Sequence, residues 1–551
     1  MSLKVRSISQ IPEDTVRVAK AAFRKGNRYI LLRDTFGDLF SGDDFKELFH
    51  AEGRPAVDPA RLALVTILQF AENLSDERMA DAVRSRIDFK YLLALPLDDS
   101  GFDASVLSEF RTRLAEGQAE RLLFEKLLKH FQAHKLLRAR GKQRTDSTHV
   151  LAAVHALNRI TCVRQTFRHA LNVLATVDPE WFLNCAKPEW VKRYAKRRDL
   201  DHEVVPAKRA EREALERAVA ADGLFLLTSV LSPSAPAWLR ELPAVTTLWR
   251  VWLQNFTWTE AGTLRFRTSA EIPPGRMFIG SPFDEDARYS QKRTTSWVGY
   301  KVHLTEMCDE DLPMVVTNVE TSLATTQDFD LTRDVHTALG ERQLLPAEHL
   351  VDMGYLSANL LVSEKRHHGV DLIGPARHDQ RWQAWAGKGF AAENFDVAWE
   401  TKTVTCPAGH TNLSWSDAKD RRGRPVVKIK FAIGDCRSCP YKADCTTAPR
   451  RTVTLQAQEH HEALIAWRAW AQTDEFKTLY AQRAGIEGTM SVGVRSFGMR
   501  RSRYFGFEKT HLQHVATASA INLMRVADWL AEKPRAVTRV AAFERVLQMA
   551  A

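Results

Sequence analysis

The chain has 551 residues, 44% of them hydrophobic and 26% charged, and its 78 Lys and Arg outnumber 68 Asp and Glu for a formal net charge of +10. That length excludes one ordinary core and predicts three or four domains; the composition excludes disorder, and the basic balance favours a polyanionic partner without proving one. No run approaches the ~18–20 apolar residues of a membrane span, and the charged start Met1-Ser2-Leu3-Lys4-Val5-Arg6 leads into no apolar stretch, so the expectation is a cytoplasmic protein with no signal peptide and no membrane partner.

Residues 1 to about 35 carry no clear periodic signal. From Val57 to about Leu114 the pattern is helical. Pro59 suits a first helical turn, Ser75 before Asp76-Glu77 suits an N-cap, and Asp103 can cap a helix from Ala104 to Leu114 that ends in Arg111 and Arg113. Short helices with basic tips read either as a helix-turn-helix DNA reader or as a dimerisation or packing module. A further helix over about 123–138 leads into a strand at Arg144-Thr145-Asp146-Ser147-Thr148-His149. Roughly 155–270 reads as helical, with basic clusters (Lys192-Arg193, Lys196-Arg197-Arg198, Lys208-Arg209, Arg212) and tryptophans at 181, 190, 238, 249 and 252, most of them expected in a core.

The period changes at Trp297. Trp297–Leu304 and Met314–Thr321 read as a β-hairpin around the acidic turn Cys308-Asp309-Glu310-Asp311, and 328–343 as a helix. His349-Leu350-Val351 is a short buried-type strand ending at Asp352, and Val370–Pro375 is another; helix dominates from about 456 to 531.

Three acids stand out. Asp146 lies in or at the end of a strand, where a charge needs a partner or a ligated ion. Asp352 ends an apolar strand with Gly354 behind it. Glu487 lies on a helix with Arg483 four positions earlier and Tyr480 seven earlier, so Arg483 is placed to pair with Glu487 or with a phosphate. Carboxylates converging from separate elements can hold two Mg²⁺ or Mn²⁺ ions about 3.5–4 Å apart for phosphodiester chemistry. Each residue alone also has an ordinary reading, as a turn, cap or surface ion pair. The basic run Arg500, Arg501 and Arg503 after the Glu487 helix suits DNA backbone contact.

Four of the seven cysteines lie between 406 and 445. Cys406, Cys436, Cys439 and Cys445 form a set suited to structural, tetrahedral Zn²⁺, with His410 as a substitute for one; free reduced thiols are the other reading. Catalytic zinc is not expected, because all four positions would be filled.

The motifs Thr145-Asp146-Ser147-Thr148-His149, Gly299-Tyr300-Lys301-Val302-His303, Val351-Asp352-Met353-Gly354-Tyr355, Arg483-Ala484-Gly485-Ile486-Glu487-Gly488-Thr489 and Lys509-Thr510-His511-Leu512-Gln513-His514 together resemble a bacterial insertion-sequence transposase of the DDE type, in the IS-four-like group and its IS-eleven-eighty-two branch. The resemblance spans about 40–530. It implies an α/β, ribonuclease-H-like catalytic core: a mixed sheet with the first Asp on strand one, the second after strand four and the Glu on a later helix. The domains it implies are a helical N-terminal DNA-binding or dimerisation domain (1–138), core segments at 139–158, 284–380 and 459–531, a helical insertion (159–283), a β-rich insertion with the cysteines (381–458) and a tail (532–551).

It also implies binding of double-stranded DNA at terminal inverted repeats, cleavage there, transfer of the freed 3′-hydroxyl into target DNA through a hairpin intermediate, and a homodimer on DNA. Tyr480, Arg483 and Arg495 would position phosphate. Lys301 and His303 either face the site or alternate as ordinary strand residues. The family's lysine seven positions after the Glu is Val494 here, with Arg495 beside it, so that role is in doubt. A tryptophan among 382, 385, 399 and 415 would stack on a flipped base, although each is more often a core residue. The competing readings are a ribonuclease-H-like nuclease or resolvase, and a catalytically silent zinc-bearing DNA-binding regulator.

Overall fold

The computed structural model describes residues 10–550 apart from 51, 54, 155–157, 196–207, 376, 378, 421–422 and 536–541. Lys196-Arg197-Arg198 and the first six residues lie outside the described residues. Among the described residues no helix is long and apolar enough to cross a membrane.

Six strands form the central sheet: β1 (Lys142–Leu151), β2 (Arg288–Lys292), β3 (Thr295–Met307), β4 (Val316–Leu323), β5 (Glu348–Val351) and β6 (Asp371–Ile373). β3 pairs antiparallel with β1, β2 and β4; β1 runs parallel to β5, and β5 to β6. The order across the sheet is β4-β3-β1-β5-β6, with β2 pairing with the start of β3; Asp146 lies on β1 and Asp352 directly follows β5, the fifth strand in sequence and not the expected fourth. β4 and the later part of β3 are buried on both faces, so the polar residues that alternate with their apolar ones, His303, Glu306, Asn318 and Glu320, are buried and need partners. Gly299 has φ +150°, and a Cβ there would lie 2.2 Å from the Val150 carbonyl oxygen, so only glycine lets β3 approach β1 at this point.

The N-terminal helices begin where capping chemistry places them. Asp58 accepts from the Ala60 amide at 3.0 Å, Ser75 from Arg78 at 3.3 Å and Asp103 from Ser105 at 2.9 Å. Their apolar faces surround the long Phe507–Leu530 helix, which also covers Val302, Leu304 and Val319 of the sheet, so one continuous core joins the N-terminal helices to the sheet. Asn522 of that helix exchanges two hydrogen bonds with the Val316 backbone, at 2.7 and 2.8 Å. Arg111, one of the two basic tips expected to offer DNA contact, turns inward. It is 4% exposed, donates to both Asp76 oxygens at 3.0 and 2.5 Å, and lies over the Tyr504 ring.

The helical insertion has its own core around Phe167, Leu226, Trp190 and Trp252. Helix does not continue to 270: Phe256–Trp258 and Leu264–Phe266 form a hairpin whose turn includes Gly262 in the left-handed region. Aromatic and β-branched residues around a glycine turn favour strand over helix here. The second insertion is β-rich as expected. Asn412–Lys419, Pro425–Phe431 and Thr452–Gln456 pair antiparallel over a small core of Val427, Ile429, Phe431, Val453 and Leu455, against which Trp399 and Trp415 pack, edge-to-face with each other.

Candidate active site and thiol cavity

Alternation along β1 puts Arg144 and Asp146 on one face and Thr145 and Ser147 on the other. Arg144 is buried and donates to Glu306 of β3 at 2.7 Å and to the Gln482 carbonyl at 2.5 Å. Glu306, fully buried, also accepts from Thr489 at 2.5 Å and Arg525 at 2.7 Å. A Cβ on Gly485 would come within 2.1 Å of the Arg144 guanidinium, so the Gly485–Ser496 helix sits directly on it. This buried charge network fixes the helix bearing Glu487 to the sheet face bearing Asp146.

Arg483 stands between the acids. Its guanidinium lies 2.8 Å from Asp146 and 3.9 Å from Glu487; Arg483 is 12% exposed and Glu487 71%. Burial pushes the Asp146 carboxyl up, Arg483 and the Ser147 amide draw it back, and Asp352 adds to the rise. Burial opposes the Arg483 charge, but Asp146, Tyr480, Asp352 and Glu487 together raise its affinity for the proton. The three acids therefore act on one guanidinium. Tyr480 stacks on Phe476 with ring centroids 5.4 Å apart, and burial raises its hydroxyl. Asp352 meanwhile caps its own turn, accepting from the Gly354 amide at 2.7 Å.

The other face holds Lys301 and His303 together with two residues given no role in the sequence reading, Tyr355 and Asp328. Tyr355 is buried, with its hydroxyl 2.5 Å from His303 Nδ1 and bonded to Ser147; burial, then Asp328 and Asp146, push that hydroxyl far up. His303 also meets Ser322 at 2.9 Å, and burial pulls its imidazole down to about 4. His303 thus supports the site from within the sheet and offers DNA no surface. Lys301 donates to Asp328 at 3.0 Å and to the Thr326 carbonyl at 2.7 Å. Asp328 is a fourth carboxylate: a Cβ on Gly354 would meet Asp352 Oδ1 at 2.8 Å and Asp328 Oδ2 at 3.1 Å. A lone Asp in a short turn gives no sequence signal, whereas Glu306, a charge inside a buried strand, is a signal that was available.

The remaining basic residues divide. Arg495 is exposed at the end of the Glu487 helix, while Val494 beside it packs on the main core. Arg500 donates to Thr148 at 2.9 Å and Arg501 is exposed, both beside the end of β1. Arg503 turns away from that surface. It donates to the Leu74 carbonyl at 2.8 Å and lies over the Phe70 ring, tying this segment to the N-terminal helices.

Cys406, Cys436, Cys439 and Cys445 line a single cavity of about 30 Å³, together with His410, Lys442 and Arg451. Backbone amides donate to two of the sulfurs, His410 to Cys406 at 3.3 Å and Arg451 to Cys436 at 3.4 Å. Burial raises the Cys445 thiol, Arg451 opposes that, and the other three sulfurs add to it. Among the described residues no group of three or more His, Cys, Asp or Glu side chains stands arranged to hold a metal ion. At the carboxylates the guanidinium of Arg483 takes up an Asp146 oxygen.

Residues 405–527 match the family model described as Transposase DDE domain, and residues 17–113 match the one described as Transposase domain (DUF772). No curated protein matches the chain. The first match carries the four cysteines, Tyr480, Arg483 and Glu487; Asp146 and Asp352 lie outside both. The mixed α/β architecture with a DDE domain fits a ribonuclease-H-like core, and the two matches support an insertion-sequence transposase of the DDE type, an enzyme that cuts or transfers nucleic acid.

Proposed function

We propose that the chain is a metal-dependent transposase of the IS-four-like group, in its IS-eleven-eighty-two branch, which cuts DNA at the terminal inverted repeats of its own element and joins the freed 3′-hydroxyl to target DNA. The observation that carries this reading is the link of Arg483 to Asp146 and Glu487, with Asp352 in the same field. Hard carboxylate oxygens suit Mg²⁺ or Mn²⁺, and Asp146, Asp352 and Glu487 are the residues that would hold two ions. When bound, such ions stabilise the attacking and leaving oxygens of phosphodiester cleavage.

The chain's own residues supply the rest. Arg483 keeps Asp146 neutralised in the metal-free state and is placed to move to a phosphate oxygen; a planar guanidinium suits that ligand. Tyr480 flanks it. Arg495, Arg500 and Arg501 face the DNA backbone beyond the end of β1. Lys301 holds Asp328 against Asp352 and so sets the position of the second aspartate. The four thiols hold a structural zinc that rigidifies the β-rich insertion; their convergence and the two amide bonds to sulfur support this. Cleavage proceeds by a hairpin on DNA held by a homodimer.

The test is an end-cleavage and strand-transfer assay on DNA carrying both element ends, with Mg²⁺ and with EDTA. Cleavage and joining that need the ion and vanish in Asp146→Ala, with end binding intact, are expected. Cleavage without joining would indicate a nuclease or resolvase. Binding without cleavage would indicate a silent regulator, and cleavage by Asp146→Ala would remove the triad.

A further inference from the structure

Beyond Asp146, β1 runs into a second feature. Ser147, Thr148 and His149 form one wall of a cleft of about 490 Å³, and Lys292, Arg293, Thr294, Thr295, Trp297 and Lys301 form the other. No carboxylate lines it. Lys301 is committed to Asp328, but Lys292 and Arg293 are exposed and neither is in an ion pair among the described residues. They sit at the tip of the β2–β3 hairpin, where Arg293 holds φ +55°. Glycine, Asn or Asp are the usual occupants of that backbone conformation, so a long cation there serves its side chain and not the turn.

The opposite wall is as suited to an anion. Thr148 is held by Arg500 at 2.9 Å, and His149 packs against the Trp297 ring with centroids 5.3 Å apart. Burial, with Arg500 and Lys292 adding to it, pulls His149 below its usual range, so it is a neutral donor in a cationic field. The cleft lies near the first of the acids, for the Lys292 charge helps draw the Asp146 carboxyl down. His149 is three strand steps beyond Asp146, about 10 Å, which is the axial rise of about three nucleotides of one DNA strand.

We propose that this cleft seats the sugar–phosphate backbone of the DNA strand adjoining the reacting phosphate, with Lys292 and Arg293 on phosphate oxygens and Thr148, Thr294 and Thr295 as neutral donors. The proposal rests on the DNA-processing reading above and adds to it where the strand lies.

The experiment measures binding of the full-length chain to a random-sequence duplex and to an oligothymidylate single strand. It is done in EDTA, so that no cleavage intervenes, across a salt series. For two phosphate contacts, Lys292→Ala/Arg293→Ala should flatten the slope of log K against log salt by about 1.8 on duplex and about 1.4 on single strand. The exchange Lys292→Arg/Arg293→Lys, which keeps both charges, should restore the slope, and its recovery separates charge from folding. Wild-type binding with an unchanged slope in the alanine variant overturns the cleft alone. A wild-type chain that binds neither probe overturns the cleft and the transposase reading together.

Discussion

Two places in this molecule gather metal-type ligands, and they are built in opposite ways. The carboxylates at 146, 328, 352 and 487 come from separate elements of a core that runs from the sheet into the N-terminal helices, and Arg483 links the first of them to the last. Each is already balanced from inside the protein: Asp146 and Glu487 by Arg483, Asp328 by Lys301, and Asp352 by its own turn. The thiols come from one short stretch and line a cavity beside a small core of three strands. The carboxylates therefore rest on a large core and internal ion pairs, whereas the thiols sit beside a small core of their own. Losing a carboxylate should spare the fold and end the chemistry; losing thiols should do the reverse locally.

The largest effect is expected at the thiols. A structural zinc contributes on the order of 10 kcal/mol in small zinc folds. Cys436→Ser/Cys439→Ser should lose the zinc and open residues 381–458 to protease while the sheet and the long C-terminal helix stay protected. Metal content and limited proteolysis are the readouts. A zinc-free wild type with an intact insertion would break the comparison on this side.

In the core, the network under the site should matter more to stability than the acids above it. Glu306→Gln leaves Arg144 and Arg525 without their buried counter-charge, which costs about 3–5 kcal/mol, read by urea unfolding. Asp146→Asn should leave the unfolding midpoint unchanged or raised, because burial already disfavours its charge. Its cleavage rate should fall more than about 100-fold, the upper end for outer-shell changes around a metal. Asp328→Asn, acting through Asp352, should fall about 10–100-fold and shift the Mg²⁺ concentration for half-maximal rate, with Asp328→Glu restoring part of it. An unshifted Mg²⁺ midpoint would make Asp328 a structural partner of Lys301 alone.

Legibility followed the range of the signal. The strand at Asp146, the strand ending at Asp352, the helix of Glu487 and the cap at Ser75 were readable because alternation, apolar runs and capping residues act over a few positions; Asp103 bonds the Ser105 amide but stands one residue before the N-cap, Ala104. The thiol set was readable from spacing. Arg111 left a DNA reader and a packing module open, and Arg503 read as a DNA contact, because a basic side chain looks the same in sequence whether it meets solvent or Asp76 and Phe70. The Arg144–Glu306 pair and Asp328 are tertiary facts, fixed by which strands lie side by side. The expectation of a triad rested on the family resemblance, since no local pattern says that distant acids converge; what the fold shows of it is the Arg483 link between Asp146 and Glu487.

The smallest effect separates the two regions by pH. Behind Asp146, on the face opposite it, Thr145 meets His349 at 2.6 Å, His349 meets His336 at 2.8 Å, and His336 meets Glu364 at 2.8 Å, all of them buried. Burial alone would raise the Glu364 carboxyl; the hydrogen bonds from His336 and Ser363 and the charges of His336 and His368 outweigh it and bring it from 4.5 to about 2. A carboxylate depressed in the fold contributes stability that is present above its ordinary value of 4.5 and is lost as pH falls toward about 2. Buried neutral histidines act in the same direction but start earlier: His303 and His511 lie near 4 and His514 near 3, so their contribution begins to fall below the ordinary 6.5. The difference between wild type and Glu364→Gln should therefore be constant above pH 4.5 and shrink only below it, with the wild type the more stable at neutral pH. Thermal unfolding from neutral to acid pH reads both limbs. His303, His511 and His514 cancel in that difference, so a difference that stays unchanged down to pH 2 would mean that the Glu364 bond is not what holds the back of the site.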